Sequence, residues 1–168
     1  HGEDVKELYW YVVNTPTHSL ATMRYRYPQN AYPYKELLEK NAQRGYQDRE
    51  YEISDTGIFD DQRFFDISVT YAKAAENDVL VSITVQNRSP EPASLSLVPQ
   101  LWFRNTWSWG YPEGAQRNQS LKPNISAIDN TQLLAEHPLL GRYHLHWQGQ
   151  PEIIFTDNET NTNALYGN

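Results

Sequence analysis

The sequence contains no cysteine among its 168 residues. Disulfides, thiol nucleophiles and thiolate zinc sites are therefore excluded, and a cytoplasmic location is expected. The sequence also lacks an apolar run long enough to span a bilayer. Its formal net charge is −7 and it has no cluster of lysine or arginine. Neither nucleic acid nor a membrane is therefore expected as a partner.

Alternating apolar and polar residues predict several β-strands. The clearest covers residues 65–71, where Phe65, Ile67, Val69 and Tyr71 alternate with polar residues. The alternation resumes over residues 79–85, so the two segments are predicted to pair as an antiparallel hairpin. A further strand is predicted over residues 95–103, with Pro99 at an edge or a bulge. Other candidate strands cover residues 8–13, 50–54, 143–147 and 152–156.

Only one helix is predicted. Pro33 suits a first helical turn, Tyr34, Leu37 and Leu38 form an apolar stripe, and Gly45 is a natural stop. Several short strands with one helix indicate a mainly β protein, an antiparallel β-sandwich of supersandwich-like type. We expect a single domain in which residues 1–48 form an extended segment plus the helix, residues 49–157 the sandwich core and residues 158–168 a polar tail. Residues 111–130 are predicted to form a loop.

Three of the five tryptophans lie within eight positions, in the segment from Leu101 to Gly110. Indole rings can fill a core, or they can offer a flat face to the apolar side of a sugar ring. Arg104 and Asn105 between them can supply hydrogen bonds to sugar hydroxyls. Both interpretations stay open, since Trp107 and Trp109 would share one face of a strand and could pack inside. The candidate substrate-binding residues are Trp102, Arg104, Asn105, Trp107 and Trp109.

Carboxylates are the abundant catalytic-type groups, but their settings favour structural roles. Asp60 and Asp61 lie in a segment typical of turns, where aspartate caps backbone N–H groups. Asp157 and Glu159 could bind a hard cation, yet they lack the spacing of a calcium loop. His144 and His146 would share one strand face, without an evident third metal ligand. No catalytic residue, metal or cofactor is therefore predicted.

Five segments together resemble bacterial members of glycoside hydrolase family sixty-three, the group of processing α-glucosidases and mannosylglycerate hydrolase-like enzymes. They are residues 1–7, 14–19, 55–66, 101–110 and 155–161. The resemblance covers nearly the whole chain and is to the amino-terminal region of much longer proteins. It implies a β-sandwich that packs in cis on an (α/α)6 barrel carrying the catalytic carboxylates, and nothing in this chain is similar to that barrel.

The resemblance implies an inverting hydrolase of α-linked glucosyl or mannosyl groups, with carbohydrate as its partner. This chain, which begins at His1 without an initiator methionine, is expected to be an excised and inactive fragment of it. The alternative is a carbohydrate-binding or purely structural module, and a third hypothesis is that the chain is itself an enzyme with two convergent carboxylates. A sandwich without its partner domain exposes strand edges and apolar surface, so self-association is also expected.

Overall fold

The computed structural model describes residues 8–108 and 122–167. The chain divides into two compact units, His1–Ser96 and Leu97–Asn168. The first unit contains a four-stranded antiparallel sheet in the order β1-β2-β3-β4, and the second a three-stranded antiparallel sheet in the order β5-β6-β7. The mainly β class with antiparallel strands, as predicted from the sequence, is confirmed.

The strands of the first sheet are β1 (Leu8–Asn14), β2 (Leu20–Pro28), β3 (Phe64–Ala75) and β4 (Asp78–Asn87). Those of the second are β5 (Asn124–Asp129), β6 (Gln132–His137) and β7 (Gly141–His146). The helices are α1 (Tyr34–Ala42) and the short α2 (Thr162–Tyr166), with single 3-10 turns at Ile53–Thr56 and Asp60–Gln62.

The hairpin predicted from alternation is confirmed as β3 and β4, which pair with Ile67 opposite Val85 and Val69 opposite Ile83. The predicted strands over residues 8–13 and 143–147 correspond to β1 and β7. The predicted helix is confirmed as α1, which ends at Ala42, before Gly45. Strands β2 and β6 were not predicted.

Three predicted strands are wrong. Residues 95–103 lie outside any strand, since Pro92 and Pro99 offer no N–H group to a ladder. Residues 152–156 follow Pro151 and are also irregular. In the segment over residues 50–54 the side chain of Asp55 accepts a hydrogen bond from the Glu52 N–H at 2.9 Å, which closes a 3-10 turn instead of a strand.

The predicted loop over residues 111–130 is wrong in its last part, where β5 begins at Asn124. Ile125 and Ala127 alternate with polar residues there and lie opposite Ala135 and Leu133 of β6. Residues 109–121 lie outside the described part of the chain. The division into one domain with a polar tail stays a prediction.

Each unit has a small core of its own. In the first unit the buried apolar side chains come from α1, the loop after it and β3, namely Leu37, Ile53, Ile58, Phe64, Phe65 and Ile67. The Asn41 side chain fastens α1 to this loop by bonding both the N–H and the carbonyl of Tyr51, at 2.8 and 3.0 Å. In the second unit Leu133 and Ala135 of β6 are buried. Among the described residues, no helix is long and apolar enough to cross a membrane.

Candidate functional site

The tryptophan segment is irregular and is held by hydrogen bonds to the loop before α2. The side-chain amide of Asn105 donates to the Asn158 carbonyl at 2.9 Å and to Glu159 Oε2 at 3.0 Å. In return the Asn158 amide donates to the Phe103 carbonyl at 2.7 Å. Asn158 has a φ of 51°, in the left-handed region that asparagine tolerates better than most residues. The two segments are therefore joined by reciprocal bonds.

The indole of Trp107 is fixed by its N–H, which donates to Glu159 Oε1 at 2.5 Å. Because the polar edge of the ring is used in this bond, the orientation of the ring is set by Glu159. Ser108 supports the arrangement, since its N–H and hydroxyl both donate to Asn105 Oδ1, at 3.3 and 2.9 Å. The half-buried Trp107 is thus held as a fixed ring near the surface.

The side chain of Lys122 lies beside this group. The Lys122 ammonium lies 3.5 Å from Asp157 Oδ1, 4.0 Å from Glu159 Oε1 and 5.8 Å from the centre of the Trp107 ring. The hydrogen bond from Trp107 lowers the pKa of Glu159 from its ordinary value; desolvation opposes this, and Asn105, Lys122 and Ser108 add to the lowering. Glu159 is therefore ionised at neutral pH, with both oxygens occupied, and is unsuited to donate a proton.

Lys122 also lines an open depression of about 430 Å³ beside Asn124, Glu136, His137 and Arg142. The Nδ1 atom of His137 accepts the N–H groups of Leu139 and Leu140 at 3.1 and 3.2 Å. Its ring centre lies 5.1 Å from that of Phe103. Arg142 Nε donates to Glu136 Oε1 at 2.8 Å. The depression is therefore lined mostly by charged and hydrogen-bonding side chains, with the His137 imidazole among them.

The structure places the predicted site residues in different settings. Trp102 is 61% exposed, Arg104 is exposed, and Asn105 and Trp107 are half-buried. Trp107 lies in a turn, so the strand geometry that would put it on a common face with Trp109 does not apply to it. Trp109 itself lies outside the described residues. Asn105 and Trp107 are brought together through Glu159.

The candidate catalytic carboxylates have structural surroundings. Asp60 and Asp61 form a 3-10 turn in the first unit, and Asp61 has a φ of 56°. Asp157 and Glu159, in the second unit, both lie near Lys122. His144 and His146 are exposed and stack with ring centres 6.0 Å apart. Within residues 8–108 and 122–167, no group of three or more histidine, aspartate or glutamate side chains could hold a metal ion.

Sequence reasoning missed Lys122 and Asn158, and it placed Glu159 in a loop without connecting it to the tryptophan segment. Glu159 lies 52 positions from Trp107, and Asn158 lies 55 positions from Phe103. No local spacing signals such partners. The concentration of tryptophan and asparagine in the two segments was the only available indication.

Comparison with known proteins identifies a relative in yeast. Over 197 aligned residues the chain is 46% identical to the uncharacterized protein YMR196W of Saccharomyces cerevisiae. The alignment covers 99% of this chain and 18% of that relative, so the chain spans less than a fifth of the relative's length. No family model matches the chain, and no solved structure matches it.

Proposed function

We propose that this chain is the non-catalytic, β-rich part of a larger glycoside hydrolase, of the inverting α-glucosidase or α-mannosidase-like type. The catalytic carboxylates belong to an (α/α)6 barrel outside this chain, and the second unit contributes a surface that contacts carbohydrate. The observation that carries this proposal is the hydrogen-bonded group of Trp107, Glu159 and Asn105. It fixes an indole near the surface, close to polar groups that suit sugar hydroxyls.

The neighbouring groups fit the same role. Trp102 offers a second, largely exposed indole in the same segment. Lys122 links the group to the open depression beside His137 and Arg142, so polar contacts continue away from Trp107. An extended row of this kind suits an oligosaccharide better than a single small ion. The ionised Glu159, already bonded to two donors, supports a binding role over an acid-catalytic one.

The first test is release of glucose or mannose from a panel of α-linked oligosaccharides and glycosylglycerates. It compares this chain with the full-length protein of which it is a part. We expect sugar release by the full-length protein only. Release by this chain alone would contradict the proposal and would direct mutagenesis to Asp60, Asp61, Asp157 and Glu159.

The second test measures the binding of maltotriose and mannotriose to this chain by titration calorimetry. Trp102→Ala and Trp107→Phe should weaken binding about tenfold, since stacking and a fixed ring together are worth about 1–2 kcal/mol. Tyr46→Ala is the control, because Tyr46 is a fully exposed aromatic of the first unit. Equal binding by all variants would reject the carbohydrate-contacting surface and favour the alternative, a purely structural module.

A further inference from the structure

The four-stranded sheet has one polar face, and its side chains lie in rows across the strands. One row contains Arg26, Asp66 and Gln86, the next Arg24, Ser68 and Thr84, and the third Thr22, Thr70 and Ser82. Thr22 and Thr70 share a hydrogen bond of 3.1 Å. Ser82, Thr84 and Gln86 are exposed and Ser68 is half-buried. This face therefore offers hydroxyl and amide groups to solvent in a regular array.

A groove of about 320 Å³ lies at the β1 side of this face, lined by Trp10, Val12, Arg24 and Arg26. Trp10 lies directly opposite Arg24 in the pairing of β1 with β2 and is 42% exposed. The groove thus combines one accessible indole with two guanidinium groups. Its chemistry differs from that of the Trp107 group, where the indole N–H is bonded to the Glu159 carboxylate.

The two arginines have different surroundings. Arg26 is held in place: its Nε donates to Asp66 Oδ1 at 3.0 Å, and its guanidinium lies 4.0 Å from the Phe64 ring centre and 5.6 Å from that of Trp10. Arg24 is exposed, and in the described part of the chain no carboxylate pairs with it. Arg24 can therefore bind an external anion without first breaking an ion pair.

The described residues around the groove carry a net positive charge, although the whole chain carries −7. Asp66 is shared by Arg26 and Arg88, with Arg88 Nε at 2.8 Å from Oδ2. Counting only the described residues that line the groove or bond to Asp66, these two arginines and Arg24 carry three positive charges against the single negative charge of Asp66, which leaves two in excess. Such an excess beside an indole favours a ligand with both a carboxylate and an apolar face.

We propose that the groove of Trp10, Arg24 and Arg26 binds an acidic oligosaccharide, with a uronic acid residue stacked on Trp10 and its carboxylate bound by Arg24. The hydroxyl rows of β3 and β4 then lie beside the next sugar units. An acidic peptide would also satisfy the arginines, but the flat face of the Trp10 indole suits the apolar face of a sugar ring, and the hydroxyl rows suit the several hydroxyl groups of each sugar unit. The inference rests on the proposed function only in that the ligand is a saccharide, and it concerns a separate site.

The test is titration calorimetry of this chain with trigalacturonic acid and with its methyl ester, which has the same shape without the charge. We expect the acid to bind and the ester to bind at least about tenfold more weakly, because the bidentate carboxylate contact is lost. Equal binding of acid and ester would overturn the proposal. Triglutamate is the third probe, and binding as tight as that of the trisaccharide would also overturn it.

Substitutions of Arg24 and Trp10 test whether the ligand binds in the groove, and Lys73→Gln is their control. Arg24→Gln should weaken binding of trigalacturonic acid about tenfold, whereas Lys73→Gln should not change it. Lys73 is exposed on the same sheet but opposite Val79, on the other face. Trp10→Ala should also weaken binding of trigalacturonic acid. If Trp10→Ala does not fold, the result for Arg24→Gln decides whether the groove is the binding site. Equal affinities of Arg24→Gln and Lys73→Gln would overturn the assignment.

Failure of this inference and failure of the proposed function are distinguishable. Trp102→Ala is expected to weaken binding of the neutral trisaccharides and to leave trigalacturonic acid binding unchanged. Binding of the acid without binding of maltotriose or mannotriose would reject the Trp107 surface and support the groove. Binding of the neutral sugars alone would reject the groove.

Discussion

The indole Nε1 of Trp107 lies 2.5 Å from Oε1 of Glu159, a residue 52 positions further along the chain. This bond connects the protonation of one carboxylate to the surroundings of one fluorophore. The pKa of Glu159 lies below the ordinary value of glutamate, first because of the Trp107 hydrogen bond, and despite desolvation. The ionised Glu159 therefore stabilises the folded chain fully above the ordinary glutamate pKa, about 4.3. This stabilisation is lost as the pH falls through the lowered pKa of Glu159 in the folded state.

The first prediction concerns this coupling. Tryptophan emission of the chain should change as the pH falls below about 4, and the change should be absent from Glu159→Gln, which has no carboxylate at this position to protonate. Trp107→Phe assigns the signal to Trp107. Asp157→Asn is the control, since Asp157 also lies near Lys122. An acid transition that persists unchanged in Glu159→Gln would contradict the coupling.

The second prediction concerns the buried Asp66, which accepts hydrogen bonds from Arg26 and Arg88. Burial raises its pKa, but the two arginines together outweigh burial and hold the pKa below its ordinary value. Asp66→Asn leaves two arginines without their counter-charge. The side chains of both arginines are partly exposed, at 29% and 44%, so the expected loss of unfolding free energy is moderate. We expect about 2 kcal/mol.

Urea denaturation as a function of pH tests this prediction. Because the pKa of Asp66 is lowered on folding, ionised Asp66 contributes fully to the free energy of unfolding above its pKa in the unfolded chain, about 3.9. This contribution disappears as the pH falls through the pKa of Asp66 in the folded chain. The difference in free energy of unfolding between the unsubstituted chain and Asp66→Asn should therefore shrink below about pH 4. Asp78→Asn, at the exposed start of β4, is the control. A difference that stays constant down to pH 2 would contradict an ionic cause.

Hydrophobic alternation predicted the parts of the fold that depend on neighbours in sequence. The β3–β4 hairpin has only two residues between its strands, so its pattern and its turn lie in one short window. Strand β2 carries the same alternation, but two of the side chains on its apolar face are Tyr25 and Tyr27, whose hydroxyl groups reduce the contrast with the polar face. The segment around Asp55 resembled a strand because the hydrogen bonds between Glu52 and Asp55 that form its 3-10 turn leave no signal in the hydrophobic pattern.

The candidate sites depend on contacts between distant residues and were only partly predictable. The tryptophan cluster indicated a binding segment, while Glu159 and Lys122 reach it from other parts of the chain. Asp66 occupies a polar position of an alternating strand, and its burial depends on Arg26 and Arg88, which are 40 and 22 positions away. Side chains placed together by register, such as Trp10 and Arg24, carry no signal until the strands are paired.

The third prediction concerns Gly57, which ends the first 3-10 turn with a φ of 72°. A Cβ atom at this position would lie 2.9 Å from Asp60 Oδ2, and the left-handed conformation is itself unfavourable for alanine. Gly57→Ala should lower the free energy of unfolding by about 1 kcal/mol. Gly45→Ala is the matched control, since its Cβ would meet Asp48 Oδ2 at an ordinary 3.5 Å. Equal midpoints of the two variants in thermal denaturation would contradict the strain.

The fourth prediction concerns the apolar face of the four-stranded sheet, opposite the hydroxyl rows. It includes side chains that remain about half exposed, namely Tyr9, Tyr71, Val79 and Val81. Burial of such a face is worth about 25 cal/mol for each Å² removed from water, so its contact with a second copy is favourable. The chain should therefore show a mass by light scattering that rises with concentration.

A reciprocal pair of substitutions separates this face from the rest of the surface. Val81→Thr keeps the shape of the side chain and adds a hydroxyl to the apolar face, so it should shift association to higher concentration. Thr84→Val makes the reverse exchange on the polar face of the same strand and should leave association unchanged. A mass equal to one chain at high protein concentration would contradict the prediction. A larger effect from Thr84→Val would place the contact on the hydroxyl face instead.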